Sequence, residues 1–272
     1  MTLIANARMY AVNAAVEARW REIFSWVAER SGVPLLIADH AAPAPLDALW
    51  RRGDLGAVLM CGYPLATWDG GSRPVPIAAP APAPEPFAGR SAYWTDIVVR
   101  ADSRFERDGE LAGTRFGWTR EDSQSGYQAP RRHFAQRALE RGGNFFESVR
   151  GGLETPRRVV ESILDGSVHA GALDAYWHLL LRLHEPETAA RLRIVGRTEA
   201  TPMPCFVAAS TTPDAVRKRL GQAFAESIEA PELHTALAGL ALAGFERVDA
   251  ATYENLVGRA REVDATGYLR LR

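Results

Sequence analysis

The chain is nearly without lysine: Lys218 is the only one among 32 basic residues, so arginine carries the positive charge. That skew follows base composition of the coding DNA more simply than it follows recognition of a polyanion. With a formal net charge of −1, the chain also lacks the basic excess that nucleic acid or an anionic membrane surface selects, and any anion recognition must be local. Cysteine is scarce. Cys61 and Cys205 are too few for a disulfide framework, have no CxxC spacing for zinc or redox work, and read as buried free thiols. No apolar run approaches the ~18 residues of a membrane span, so no membrane insertion is expected. The six histidines, His40, His133, His169, His178, His184 and His234, form no HExxH or comparable ligand spacing, so no metal is expected. There is no GxxxxGK phosphate loop, no GxGxxG after a strand and no GxSxG nucleophile elbow, which leaves no sign of a cofactor or of catalysis.

What is present is a length of 272 residues with 47% hydrophobic content, enough for two modest cores. Leu3-Ile4-Ala5 reads as a strand, and Val16, Trp20, Ile23, Phe24 and Val27 recur at helical spacing. Pro34 to Ala38 and Leu55 to Met60 read as strands around a helix at Leu46 to Arg51. Strands alternating with helices imply an α/β fold with a largely parallel sheet. Arg73 to Arg90 holds six prolines spaced by alanine, a composition that predicts a stiff linker closing the first lobe.

Beyond it, Trp94 to Val99 predicts a strand, and a second α/β series runs through Arg115 to Trp118, Arg131 to Glu140, Pro156 to Leu164 and Ala170 to Leu183. Leu192 to Val195 and Thr201 to Ala208 are extended. Pro213 to Ala225, Pro231 to Leu242 and Tyr253 to Val263 read as mostly helical. The pattern fits two α/β lobes with mostly parallel sheets and a two-segment hinge: residues 1–90 with 203–272 as a discontinuous first lobe, and 91–202 as an inserted second. The chain would cross near Ala88 to Ala92 and Val195 to Pro204, and a hinge there would let the lobes close on a ligand.

The most informative segment is Phe116 to Tyr127, in which Asp122-Ser123-Gln124-Ser125-Gly126-Tyr127 precedes a helix starting near Gly126. Amides and the positive dipole end at a helix start favour an anion; Ser123 and Ser125 add neutral donors, and Gly126 allows close backbone approach. Ordinary capping by Asp122, Ser123 or Ser125 is the competing reading.

Tyr93 to Ser103, Leu111 to Gly117 and Asp122 to Tyr127, taken in order, resemble the central block of the phosphate/phosphite/phosphonate-type substrate-binding proteins of ABC importers. Cys61-Gly62-Tyr63-Pro64, Asp165-Gly166 with Gly171 to Asp174, Thr201-Pro202-Met203-Pro204, and Leu240 to Phe245 followed by Tyr253 extend the resemblance over nearly the whole chain. It implies the two-lobe, type II periplasmic-binding-protein fold and a role in capturing a small anionic solute in the cleft between lobes. It also implies an ABC permease as partner and a monomeric state. Carried over by position, the ligand-lining residues would be Tyr93, Ser123, Ser125 and Asp174, with Gln124, Gly126 and Tyr127 in the same turn. Tyr10 and Tyr63, each just after a first-lobe strand, would face them, since ligands of parallel sheets sit beyond the strands' carboxyl ends. Tyr63 reads equally as a turn aromatic, and Asp174 as the cap of the helix at Ala175-Tyr176-Trp177. A carboxylate there would repel an anion unless protonated or facing an amine on the ligand.

The chain departs from the family pattern at three points. Gln124 stands where a serine-threonine-serine run often has its central hydroxyl. No histidine occurs in Gly151-Gly152-Leu153-Glu154-Thr155-Pro156, leaving Glu154 or Thr155 to border the pocket. The start of the chain reads as a strand rather than a secretory leader: the resemblance implies the periplasm, and a true start at Met1 would imply the cytoplasm. Two rivals stay open: a bilobal enzyme of the thiamin or pyrimidine-precursor type, which would bring a histidine and a cysteine such as His40 and Cys61 together, and an effector-sensing module without a DNA-binding domain.

Overall fold

The structure, a computed structural model, describes residues 2–272. Strand β1 (Leu3–Asn6) is buried at every residue. Helix α1 (Ala14–Ser31) begins at Asn13, whose side chain accepts from the Val16 N–H, and buries Val16, Trp20, Ile23, Phe24 and Val27 along one stripe. The chain continues through β2 (Leu35–Ile37), α2 (Leu46–Trp50), β3 (Leu55–Met60), α3 (Gly62–Ala66), β4 (Val75–Pro82), β5 (Ala92–Tyr93), β6 (Thr95–Arg100) and β7 (Arg115–Gly117). There follow α4 (Ala129–Glu140), β8 (Ser148–Arg150), α5 (Pro156–Leu164), β9 (Ala170–Asp174), α6 (Ala175–His184), α7 (Pro186–Ala190) and β10 (Leu192–Arg197). Last come β11 (Thr201–Pro202), β12 (Cys205–Ala208), α8 (Asp214–Glu226), α9 (His234–Gly239), β13 (Leu242–Glu246) and α10 (Ala251–Ala265). No helix among the described residues is long and apolar enough to cross a membrane.

Two compact units result. The first comprises the residues up to Ala92 together with Pro202–Glu254. Its sheet has the order β13-β4-β12-β3-β1-β2. Strands β1, β2, β3 and β4 run one way and β12 and β13 the other, since β12 pairs antiparallel with both β3 and β4, and β13 antiparallel with β4. Trp20 on α1 meets Phe206 edge-on at 5.7 Å, and Phe206 stacks on Phe224 of α8 at 4.8 Å. Each such buried ring contributes about 1.5–3 kcal/mol.

The proline-rich stretch is not a linker. Residues 75–82 form β4, an interior strand of this sheet, buried from Pro76 onward. Successive strand residues present their N–H groups alternately to the two neighbours, so prolines at 76, 80 and 82 remove donors on one side only. Strand β12 pairs only with residues 75–78, so Pro80 and Pro82 lie beyond it, and β13 pairs along residues 79–82. A second difference is β13: the stretch Pro231 to Leu242, read as mostly helical, leaves the helix after Gly239, and Leu242 opens the strand Leu242–Glu246 that closes the sheet beside β4.

The second unit comprises Tyr93–Thr201 and Asn255–Arg272. Its sheet has the order β10-β6-β9-β7-β8; β10, β9, β7 and β8 share a direction that β6 opposes. Phe116, Phe134, Phe145 and Phe146 form its aromatic core, with Val263, Tyr268 and Leu271 buried among them. That packing corrects the expectation that residues 203–272 form one piece of the first lobe: from Asn255 onward the chain belongs to the second unit. The chain therefore passes between units three times, at 92/93 and 201/202, on the two-stranded pair β5 and β11, and at 254/255 within α10.

Candidate functional site

The serine segment of the second unit is one π-helical turn, Gln124–Gln128, running directly into α4. The widening has a local cause. The Ser123 carbonyl accepts from both the Tyr127 N–H at 3.1 Å and the Gln128 N–H at 3.0 Å, while the Ser123 hydroxyl accepts from the Gly126 N–H at 2.9 Å. Such wide turns concentrate at functional sites. Ser123 is thus the cap, as the competing reading had it, and its oxygens serve the turn.

Ser125 is placed differently. Its N–H has no acceptor among the described residues, and its hydroxyl makes a long 3.4 Å contact to Asp174 Oδ2, well beyond the usual 2.7–2.8 Å. From behind, the buried Thr95 on β6 donates its hydroxyl to the Ser125 carbonyl at 2.8 Å. The backbone passes so close to its neighbours that a Cβ on Gly126 would overlap Thr119 Oγ1 and crowd Ser123 Oγ. Glycine is therefore a packing requirement at this position.

Asp174 reconciles the two roles considered for it. Its Oδ1 accepts from Tyr176 N–H at 2.9 Å and Trp177 N–H at 3.0 Å, capping α6, and its Oδ2 faces Ser125. The carboxylate is buried, but helix amides and the α6 dipole compensate its charge. Burial, then the Asp174 charge, pushes the Tyr176 phenol well above its ordinary range, so it stays neutral.

The loop leading to the turn is clamped. Arg120 grips Asp122 with Nε at 2.9 Å and Nη2 at 3.0 Å, and reaches Glu154 Oε2 with Nη1 at 3.1 Å. The bond to Asp122 foremost, and the charge of both carboxylates, raise the guanidinium pKa and keep it ionised. Glu154 donates its N–H to the Thr119 carbonyl at 3.3 Å, and Thr155 caps α5 by accepting from Arg158 N–H at 3.3 Å. A Cβ at Gly151 would overlap the Trp118 ring, which packs on Tyr127 at 4.6 Å between centroids.

The aromatic candidates are each held by contacts within their own unit. Tyr127 points into the core of the second unit, where its hydroxyl accepts from Leu271 N–H at 3.2 Å. Tyr93 is buried on β5, its carbonyl taking the Thr201 hydroxyl at 3.5 Å. In the first unit Tyr10 is buried and donates to Met203 Sδ at 3.3 Å, while Tyr63 is half-buried on α3 and its carbonyl accepts from Thr67. Gln124 is buried at the head of the turn. Sequence reading missed Thr95, Thr119 and the Arg120–Glu154 tie. Their partners lie 30 or more residues away or are packing contacts, and neither leaves a motif.

A groove of about 580 Å³ adjoins the same turn, bordered by Gln124, Gln128, Arg132 and Arg259. Its arginines are already matched: Arg132 reaches Glu262 at 2.5 Å and Glu199 at 3.6 Å, and Arg259 donates to the Ala200 carbonyl at 3.1 Å. Behind the sheet, the buried Asp96 and His178 are joined at 2.8 Å, with Trp94 Nε1 and Arg197 on the other carboxylate oxygen at 3.0 and 3.2 Å. His40 bonds the Pro45 carbonyl at 2.8 Å. Among the described residues no group of three or more His, Cys, Asp or Glu is arranged to hold a metal ion.

Comparison with known proteins bears on this geometry. A family model described as the periplasmic substrate-binding protein of phosphonate ABC transporters matches residues 11–253. Among solved structures, PhnD1 from Prochlorococcus marinus in complex with methylphosphonate is similar at 16% identity and a TM-score of 0.79, over 97% of this chain and 98% of that one. A binding protein component of an ABC phosphonate transporter from Pseudomonas aeruginosa is similar at 16% identity and a TM-score of 0.77, over 97% and 88% of the two chains. A Xanthomonas citri protein bound to ATP is similar at 18% identity and a TM-score of 0.67, over 97% and 98%. At such identities these likenesses establish the periplasmic-binding-protein fold and leave the ligand open. Comparison with curated protein sequences gives no match.

Proposed function

The chain belongs to the periplasmic substrate-binding proteins of phosphonate ABC transporters, and from that membership we propose that it captures a small oxyanion-bearing solute of the phosphonate, phosphate or phosphite class at the Ser123–Gly126 turn and delivers it to an ABC permease. The observation that carries the proposal is Ser125. Its amide and hydroxyl stand at the opening turn of a helix, one without an acceptor among the described residues and the other with a 3.4 Å contact. Neutral donors with the positive end of a helix dipole suit a compact oxyanion and need no lysine. The paired arginines of the neighbouring groove offer no comparable advantage.

Asp174 bears on ligand choice within that class. With Oδ1 committed to α6, only Oδ2 faces the turn, so a ligand reaching Ser125 meets one carboxylate oxygen beside the donors. A ligand with a protonated group on that side, either an acid proton or an amine, would be favoured over a fully ionised one.

A thermal-shift screen against phosphate, phosphite, methylphosphonate, 2-aminoethylphosphonate, sulfate and alkylsulfonates tests the proposal. A ligand at ~100 times its dissociation constant stabilises the native state by about 2.7 kcal/mol, a rise of several degrees. A phosphonate-class hit whose stabilisation falls by about half or more in Ser125→Ala supports the assignment. Stabilisation by sulfonates alone, or by nothing in the panel, would contradict it.

A further inference from the structure

Tyr127 and Arg131 stand four residues apart, on one face of the helix that grows out of the serine turn. Both are bound by the same distant stretch of chain. Arg131 is 3% exposed, and a buried guanidinium is costly unless paired; its Nε has no partner among the described residues, and its two terminal nitrogens carry the bonds. It donates Nη1 to Asp264 Oδ1 at 2.6 Å and to the carbonyls of Tyr268 and Leu269 at 3.2 Å, and Nη2 to the Ala260 carbonyl at 3.3 Å. One turn earlier, the Tyr127 hydroxyl accepts from Leu271 N–H at 3.2 Å. The stretch is itself tied down: the Tyr268 hydroxyl donates to the Arg272 carbonyl at 2.8 Å and accepts from Arg272 N–H at 2.9 Å, and Phe145 N–H donates to that same carbonyl at 2.8 Å.

We infer that residues 260–272 form a latch that holds the register of the π turn, with Tyr127 as a positioning residue rather than a ligand contact. A π turn lacks the regular i→i−4 ladder, so it persists where surrounding contacts over-determine it. Thr95 holds the turn at Ser125, and at Tyr127 the contacts come from the latch and Trp118. Tyr127 is fixed through its ring by Trp118 and through its hydroxyl by Leu271. Two residues before it, Ser125 takes its place from the same backbone. The inference rests on the proposed role of Ser125 for its consequence in binding, and on the hydrogen bonds alone for its consequence in the turn.

The test uses the full chain, Tyr127→Phe, a variant ending at Arg270, and the combination of the two. Tyr127→Phe keeps the ring on Trp118 and removes the acceptor; the shortened variant removes the Leu271 donor. Hydrogen exchange of the unliganded proteins reads the turn without any ligand. The amides of residues 124–129 should exchange about tenfold faster in either variant, with no further acceleration in the combination, while those of α5 stay unchanged. Methylphosphonate titration, with Ser125→Ala alongside, then reads the site, and both single variants should bind several-fold more weakly. Unchanged exchange at 124–129 in Tyr127→Phe, or effects that add in the combination, would overturn the latch whatever binds. Faster exchange with methylphosphonate affinity intact, while Ser125→Ala loses it, would overturn the positioning role and leave the site standing. Affinity intact in Ser125→Ala as well would fail the site reading and, with it, the latch's consequence for binding.

Discussion

Two helix starts of the second unit meet at one long hydrogen bond, and they are built in opposite ways. Helix α6 opens on Asp174, a carboxylate of the protein's own that takes the Tyr176 and Trp177 amides. The serine turn opens on Ser123, a neutral cap, and leaves Ser125 with an amide that has no acceptor among the described residues and a weakly held hydroxyl. A helix start satisfied by an internal anion has no use for an external one. One capped by a hydroxyl keeps its positive potential for a ligand. The proposed anion site at the open start follows from that contrast and needs no net positive charge on the chain.

The largest expected effect falls on the open start. Ser125→Ala removes one donor to a charged ligand, worth about 1.5–3 kcal/mol, and should weaken binding of the phosphonate-class ligand roughly 10- to 100-fold by calorimetry. The melting temperature without ligand should stay near that of the unaltered protein. Next is Gly126→Ala, which drives a methyl into Thr119 Oγ1. Overpacking of this kind costs about 1–3 kcal/mol, so unliganded melting and affinity should fall together, a pattern that separates it from Ser125→Ala.

The closed start should respond with the opposite sign. Asp174→Asn keeps a capping oxygen, and asparagine caps about as well as aspartate, so stability should change by less than about 0.5 kcal/mol. Removal of the negative charge beside Ser125 should tighten methylphosphonate binding several-fold. Weaker binding would mean that the carboxylate meets a cationic or protonated group of the ligand. The smallest effect on binding belongs to a charge elsewhere in the unit. Asp108 contacts His133 at 2.5 Å and Arg137 at 3.0 Å. Burial alone would raise its pKa, but the hydrogen bond and charge of His133, with Arg137, outweigh burial and bring it below the ordinary 3.8. Its stabilisation is therefore present above that ordinary value and is lost as pH falls through the lower folded value. Asp108→Asn should melt about 2–4 °C lower at pH 7, converge with the unaltered protein in strong acid, and bind ligand as before.

Much of this organisation was legible in the chain. The strand at Leu55–Met60 and the helix at Pro156–Leu164 stand where apolar spacing and a proline start place them, because each is set by its own residues. The β4 strand was hidden because its composition imitates a linker; only the pairing partners, 120 and more residues away, show why alternate prolines are tolerated there. Strand β13 follows α9 with no break in apolar character and declares itself only by pairing with β4. The placement of residues 255–272 depends on Tyr268 and Leu271 entering a core made elsewhere. In the candidate site, the Ser123–Tyr127 segment and Asp174 announced themselves as helix starts. The support from Thr95, the Arg120 tie to Glu154 and the turning of Tyr127 into the core are tertiary facts with no local signal.

The most direct test of the central claim is a titration of the isotope-labelled protein with methylphosphonate, following backbone amide resonances. If the open helix start is the anion site, the Ser125 and Gly126 amides should move first and furthest, with Tyr176 and Trp177 at the closed start shifting less. Saturable binding that moves residues of the Arg132 and Arg259 groove while leaving Ser125 unperturbed would contradict the account.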